Sequence, residues 1–516
     1  MAVKPAPLAE MEFSSQGDAA LDAASLGDTE YLARLGYKQE LKRDLGLFSA
    51  FGVQYSSIAV TSAMFTTLVV GLAFFGPASF WSWVIGGTLQ VFAVGLAVAV
   101  LVSAYPLAGG VYQINNRILS QAKSGLVRRF GHPLSWQSGW WIVIAHTVSM
   151  AGIAWGMVPF VAGWFGIGTM SSGQEFWWAL GICALGTVIN LAGVRVAAYM
   201  NNLGVVAEIA AALIAVVALL AIRHHTQPAS ILSDTAGTVV HGDWFKPFAF
   251  AFLLPAYIIS SFDSTGNAAE ETHDAARKAP LGVFLANSAA WVAGIIVMYL
   301  LYRAIPSVHA VMTSAVPVNV ILDSAVGQTV TTVFQAVAIV ALLSTCTMLQ
   351  LTGARVLWSQ ARDGHMPFAG FLGRVSRQRV PFNATVAAFG LTVIFLAAAS
   401  RSATALAVLV GLTSLAWALA YGVVVTTGLY GLLTRKLPHR PFNTGRFSVV
   451  VFAGAVIWSV VICAVLVWQN PEQVGGGMLG AIIVGAAIYT FIPKGRRERT
   501  AALTTEHSAG SPAQPD

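Results

Sequence analysis

Apolar stretches of about 20 residues, separated by short polar segments, fill most of the chain from Leu47 to Ile492. A helix rises about 1.5 Å per residue, so such a stretch matches a hydrocarbon core about 30 Å thick. Read this way, the pattern predicts twelve membrane helices. They run from Leu47 to Phe75, Phe80 to Ala104, Trp140 to Phe165, Phe176 to Val194, Asn202 to Ile222 and Pro247 to Ala269. The others run from Leu281 to Ile305, Thr329 to Trp358, Asn383 to Ala399, Ala403 to Leu433, Phe447 to Trp468 and Gly475 to Ile492. The expected fold class is all-α integral membrane.

Composition agrees and adds an orientation. Of 516 residues, 56% are hydrophobic and 10% charged, against roughly 25% charged in a soluble domain. A soluble enzyme is excluded. With the N-terminus inside, all of the 29 Lys and Arg except Arg223, Lys246, Arg303 and Arg401 fall on the cytoplasmic side, as the positive-inside rule requires. This predicts a multi-pass protein of the cell membrane, plasma or inner, with both termini cytoplasmic. The net charge of +7 then faces anionic lipid and needs no nucleic-acid partner. The first 45 residues hold no apolar stretch long enough for a signal-peptide core, and the tail after Arg499 is short and polar.

Little enzyme chemistry is present. Cys183, Cys346 and Cys463 lie inside apolar runs, without disulfide or metal spacing. The ten histidines, among them His146 in the third stretch, are scattered. No Gly-Lys pair exists, so a phosphate-binding loop is absent. No catalytic residues, metal ligands or cofactors are expected. A polytopic receptor or membrane enzyme, and a channel or ATP-driven protein, are the alternatives from other classes.

Two stretches are polar at mid-span. The first carries Tyr55-Ser56-Ser57-Ile58-Ala59-Val60-Thr61-Ser62-Ala63, and the sixth carries Leu254-Pro255-Ala256-Tyr257-Ile258-Ile259-Ser260-Ser261-Phe262-Asp263-Ser264-Thr265-Gly266. They open two successive sets of five helices, and irregular segments at matching places in two halves point to a transporter site built on discontinuous helices. Broken helices expose N–H groups that suit a carboxylate and carbonyls that suit an ammonium. Pro255 as a simple kink, with hydroxyls bonded to the preceding turn, is the alternative. Asp263 has three readings: an N-cap of the second half of helix 6, a ligand for a substrate ammonium, or a proton carrier. Glu208, in the fifth stretch, is either a titratable coupling group or a structural carboxylate.

Four ordered motifs resemble a known family, the amino acid-polyamine-organocation transporters. Ser103-Ala104-Tyr105-Pro106-Leu107-Ala108-Gly109-Gly110-Val111-Tyr112 is similar to its signature after helix 2. Ser261-Phe262-Asp263 with Ala269-Glu270-Glu271-Thr272 and Ala279-Pro280 is similar to its helix 6, Ala361-Arg362-Asp363-Gly364-His365-Met366-Pro367 to the segment after helix 8, and Asn190-Leu191-Ala192-Gly193-Val194-Arg195 to the end of helix 4. The flavour is nearest to the amino acid/choline branch. The resemblance implies a five-plus-five inverted repeat of the leucine-transporter type plus two C-terminal helices. The implied segments are a cytoplasmic 1–45, helices 1–5 over 46–222, an extracytoplasmic loop 223–246, helices 6–10 over 247–433, helices 11–12 over 434–493 and a cytoplasmic tail 494–516.

The implied function is secondary active transport of amino acids or related small amines by alternating access, as proton-coupled symport or exchange. Choline, γ-aminobutyrate or a polyamine are alternative substrates. Substrate would meet Ser57, Ile58, Thr61, Ser62, Ala63, Ser260, Ser261, Phe262 and Asp263. Coupling would fall to Glu208, where cationic amino acid members of the family hold a lysine, and to Ser344 and Thr345, where sodium-dependent members place ligands. The coupling ion is then H+ or Na+. The gate would be Phe262, closing over substrate, with Glu270 and Glu271 meeting bases such as Arg362. Three departures stand out: Thr61-Ser62-Ala63 replaces a Gly-Ser-Gly pattern, Ser261 a glycine, and Val100 a glutamate.

Overall fold

A computed structural model describes residues 27–34, 43–122, 125–168, 170–221, 227–314, 316–376, 380–402, 404–438 and 440–492. The expected tail 494–516 and most of segment 1–45 lie outside the described residues. All regular structure among the described residues is helical. The first predicted stretch forms two helices, α1 (Leu47–Ile58) and α2 (Val60–Phe75). The second forms α3 (Ser79–Leu89) and α4 (Leu96–Ala104), joined by a π turn at Gln90–Gly95. An unpredicted amphipathic helix, α5 (Gly110–Ser120), precedes α6 (Gly125–Trp164). Next come α7 (Ser172–Leu191) and α8 (Val194–Ala221). The sixth stretch is three short pieces, α9 (Phe245–Phe250), α10 (Leu253–Ile258) and α11 (Ser264–Asn267). The longer helices that follow are α12 (Ala275–Arg303), α13 (Pro317–Val326), α14 (Gln328–Arg362), α15 (Phe382–Ala399), α16 (Ala405–Leu433), α17 (Ser448–Gln469) and α18 (Gly476–Thr490).

Nine segments among the described residues are long and apolar enough to cross a membrane. One of them, Leu47–Ala104, contains two of the predicted stretches, because α2 runs through a single 3-10 turn into α3. The sixth stretch is interrupted too often to count as one long helix, and the fourth, α7, is not among the nine. At 40 residues α6 is about 60 Å long, so its polar first turns extend past any apolar slab, where the hydropathy reading began too late. It forms the axis of the bundle, packed chiefly on α14 and α16.

The outer helices invert the soluble pattern. On α8, Val206, Ile209, Leu213, Val217 and Leu220 form one exposed apolar stripe at helical spacing, while Val205, Glu208, Ala211 and Ala215 are buried on the other side. An apolar face turned outward and a carboxylate turned inward are what a lipid solvent selects.

Before α1 the chain is tied to the end of the sixth stretch. Asp44 and Leu45 donate amides to the Glu271 carbonyl (3.1 and 2.9 Å), and His273 donates to the Leu45 carbonyl (2.9 Å). Asp28 accepts from the Asp274 and Ala275 amides at the start of α12 (2.7 and 3.0 Å).

Candidate functional site

Both mid-span polar stretches are interrupted helices. The first breaks at Ala59, whose φ of 45° and ψ of 54° are left-handed. For an alanine that conformation costs about 1–2 kcal/mol. The second breaks over Ile259 to Asp263, with Ser261 left-handed at φ 56°. Pro255 is not the breaker. It is the third residue of α10, in the first turn, where a missing N–H removes no helical bond.

Side chains from neighbouring helices take up the freed backbone groups. Gln54 of α1 donates to the Ser261 carbonyl (2.7 Å) and accepts from the Thr265 amide (3.3 Å), tying one break to the other. Gln90, in the π turn, donates to the Ile259 carbonyl (3.2 Å) and accepts from the Trp458 indole (2.5 Å). Each buried glutamine therefore acts as a backbone substitute. Both were missed in the sequence, where a lone amide inside an apolar run was their only signal.

At the start of α2, Glu208 supplies the cap. Its carboxylate accepts from the Thr61 amide, the Ser62 amide (3.2 Å) and the Ser62 hydroxyl. The next amide, Ala63, is already bonded to the Ala59 carbonyl (2.8 Å). Glu208 is 1% exposed, and no ion pair reaches it among the described residues.

Asp263 sits at the N-cap position of α11, but its side chain does not cap; the N-cap reading is corrected. Its carboxylate instead accepts from the Tyr421 hydroxyl of α16 (2.6 Å) and from the side-chain NH2 of Asn267 (2.5 Å). The first residue of a helix four residues long offers few free amides, whereas Tyr421 offers a full O–H. Phe262 is fully buried, with its ring against Gly95 and edge-on to Tyr421 at 5.2 Å. Ser57 donates to the Val53 carbonyl (2.7 Å), and Ser260 to the Tyr257 carbonyl (2.6 Å). Ile58, Thr61 and Ala63 are buried beside these.

Several buried polar atoms near the two interruptions have no hydrogen-bond partner among the described residues: the hydroxyls of Ser56, Ser261 and Ser264, the Thr413 hydroxyl, Nε2 of His146 and the Trp417 indole. His146 is half satisfied, through Nδ1 and the Ile142 carbonyl (2.9 Å), with its ring edge-on to Trp417 at 5.8 Å. Buried polar groups are normally paired, and such a set suits a polar ligand.

The expected coupling hydroxyls are bonded within the protein. Ser344 donates to the Met200 carbonyl (3.2 Å) and packs on Gly204, one turn from Glu208, while Thr345 donates to the Ala341 carbonyl (3.0 Å). Among the described residues no three His, Cys, Asp or Glu side chains are grouped to hold a metal ion.

At one end of the bundle the two acids of the sixth stretch form separate ion pairs. Glu270 accepts from Arg362 (3.1 and 3.2 Å) and from the Ala108 amide (3.0 Å). Arg362 stacks on Trp358, 4.4 Å from the ring centre. Glu271 instead takes both forks of Arg355, one at 2.9 Å. The first pairing was expected and the second was not. The loop before α5 reaches this cluster through Gly109 (φ 93°) and Gly110 (φ 33°). A Cβ at either would lie 2.5 Å from the Ser359 hydroxyl or 2.6 Å from the Asn267 side chain. That is why the loop signature needs two glycines.

A second polar chain runs beside the pairs. Tyr489 contacts Nδ1 of His132 (2.9 Å), Nε2 of His132 meets Nε2 of His365 (3.1 Å), Nδ1 of His365 meets the Tyr112 hydroxyl, and that hydroxyl donates to Asp363 (3.0 Å). With Asp363 as a carboxylate, one proton assignment serves every link: each hydrogen points from Tyr489 toward Asp363, and both imidazoles are neutral.

A family model described as amino acid permease matches residues 45–488. An uncharacterized amino-acid permease of Schizosaccharomyces pombe is 24% identical over 90% of this chain and 86% of its own length. Amino-acid permease BAT1 of Arabidopsis thaliana is 23% identical over 84% of this chain and 86% of its own. A GABA-specific permease of Saccharomyces cerevisiae is 26% identical over 71% of this chain and 66% of its own.

Proposed function

Since the chain belongs to the amino acid permease family, a family of membrane transporters and not of enzymes, we propose that it carries amino acids across the cell membrane by alternating access, with both termini cytoplasmic. The observation that supports this most directly is the meeting of two interrupted helices, each broken at a left-handed non-glycine residue and surrounded by buried, unpartnered hydroxyls. Backbone held irregular at membrane depth costs several kcal/mol unless it serves a cavity or a ligand. Twelve spans, ten in a five-plus-five inverted repeat and two after it, accommodate these interruptions as the first members of each half.

In this reading substrate is held between α1, α2, α10, α11, α6 and α16, by Ser57, Ile58, Thr61, Ser62, Ala63, Ser260, Ser261, Phe262 and Asp263. Glu208 carries the coupling proton, with Ser344 and Thr345 framing its helix. Sodium is the lesser reading because both hydroxyls already donate to carbonyls. Phe262 and the Glu270–Arg362 and Glu271–Arg355 pairs hold the two ends of the path. γ-Aminobutyrate is a candidate substrate alongside the α-amino acids, on the strength of the relative specific for it.

Purified protein in liposomes is expected to take up at least one labelled amino acid above empty vesicles. An inward proton gradient should stimulate that uptake several-fold, and a protonophore should abolish the stimulation. Failure to move any amino acid, amine or choline sinks the reading. Uptake that follows a sodium gradient at fixed pH reassigns the coupling ion.

A further inference from the structure

We propose that Glu208 and the carboxylate of the transported amino acid are alternative occupants of the same backbone amides, so that substrate enters only when Glu208 carries a proton. This rests on the reading that the two interruptions hold an amino acid. A helix N-terminus presents free N–H groups and a partial positive charge, and it is the natural seat for a substrate carboxylate in a broken-helix transporter. At the start of α2 that seat already holds an anion, which belongs to the chain itself. The Thr61 and Ser62 amides and the Ser62 hydroxyl all converge on Glu208, and the following amide is committed to Ala59.

At the other interruption three of the four α11 amides are already committed. In α11 the Ser264 amide is bonded to the Ser261 carbonyl (2.9 Å), the Thr265 amide to Gln54 and the Asn267 amide to the Asp263 carbonyl (2.7 Å). A substrate carboxylate seated at the start of α2 therefore has to displace Glu208. The bare Ser56 and Ser261 hydroxyls, 3% and 0% exposed on the two breaks, mark the same region as one with polar contacts still to make.

Displacement is a matter of charge. Two carboxylates cannot share one set of donors in a low-dielectric site without a proton between them. Among the described residues the titratable group that interacts with Glu208 is the Tyr55 phenol of α1, and the Ser344 side chain of α14 packs one turn away, on Gly204. Neither brings a positive charge. A proton from the bulk placed on one Glu208 oxygen cancels the repulsion and turns that oxygen from an acceptor into a donor, so at least one of the three donors is released. The amides then pass to the substrate carboxylate with no covalent bond made or broken. Proton and zwitterion bind together, and linkage makes the effect reciprocal.

The consequence separates substrate classes. Ligands with a carboxylate need the proton, whereas the corresponding amine lacking a carboxylate does not. Binding is measured on the full chain in detergent from pH 5.5 to 8, using the 20 common L-amino acids and γ-aminobutyrate as probes, with the decarboxylated amine of the tightest probe for comparison. The wild type is expected to take up about one proton per amino acid bound, and to lose affinity by about tenfold per pH unit once Glu208 is ionised. The amine should bind with little pH dependence. In E208Q the amino acid should bind without proton uptake and with a flat pH profile. S62A, which removes one donor and leaves the carboxylate, should raise the pH at which half the affinity is lost, and it serves if E208Q does not fold. Amino acid binding by the wild type without proton uptake overturns the proposal, as does an E208Q profile as steep as the wild type's. No binding or uptake of any probe overturns the amino acid reading, and this inference with it.

Discussion

Glu271→Gln is expected to cost roughly 3–5 kcal/mol of stability, the usual result of stripping one partner from a buried ion pair. Arg355 and Glu271 side chains are 6% and 3% exposed and meet through both guanidinium forks. After the substitution the guanidinium keeps, among the described residues, the neutral Leu351 carbonyl (3.0 Å) as its remaining acceptor. Glutamine also sets an N–H2 against N–H donors. The double variant E271L/R355M should recover most of the loss, because a matched apolar pair is often as stable as a buried ionic one. E270Q should cost less, since Arg362 keeps its stack on Trp358 and is more exposed. Thermal unfolding in detergent across the three variants is the measurement. Equal melting temperatures for E271Q and the wild type would falsify the view that this pair bolts the end of the bundle.

That pair also shows where sequence reading stops. The mid-span breaks were legible because hydroxyls and β-branched residues are poor at the centre of a membrane helix, and Ala59 and Ser261 confirm both locations. The Glu270–Arg362 pairing was legible from two motifs that each carry an odd charge. Arg355 was not, because it lies 84 positions from Glu271, inside a stretch that reads as the polar end of a span. Pairing across that distance is set by how α14 passes α11, which no local pattern encodes. Asp263 failed for a related reason. Its position is that of a cap, yet Tyr421, contributed by a helix 158 positions away, is the better donor. The early start of α6 was hidden because Ser135, Gln137 and Ser138 look polar, although Ser135 and Ser138 are buried and the segment is sheltered by protein rather than lipid. Local chemistry located the interruptions; the long-range partners that stabilise them came only with the fold.

Acidification is expected to loosen the same end of the bundle through His365. This residue lies beyond the end of α14, and burial lowers its pKa from 6.5 to about 4. The unfolded chain therefore binds a proton as the pH drops through 6.5, while the folded protein resists until about 4. Stability linked to this group is full above neutral pH and falls as pH falls between those values. The slope approaches about 1.4 kcal/mol per pH unit, and the loss amounts to roughly 3 kcal/mol in all. The geometry supplies the reason. A proton on Nε2 of His365 would face the N–H of His132 across 3.1 Å, donor against donor, and the chain from Tyr489 to Asp363 would part at its middle. In H365N, where an amide N–H can still reach Tyr112 but nothing titrates, the melting temperature should be lower than wild type at pH 8. It should then decline less steeply toward pH 4.5, so that the two curves converge. Parallel curves over that range would show that His365 stays protonated or solvated in the folded protein, and that the imidazole pair plays no part in its acid sensitivity.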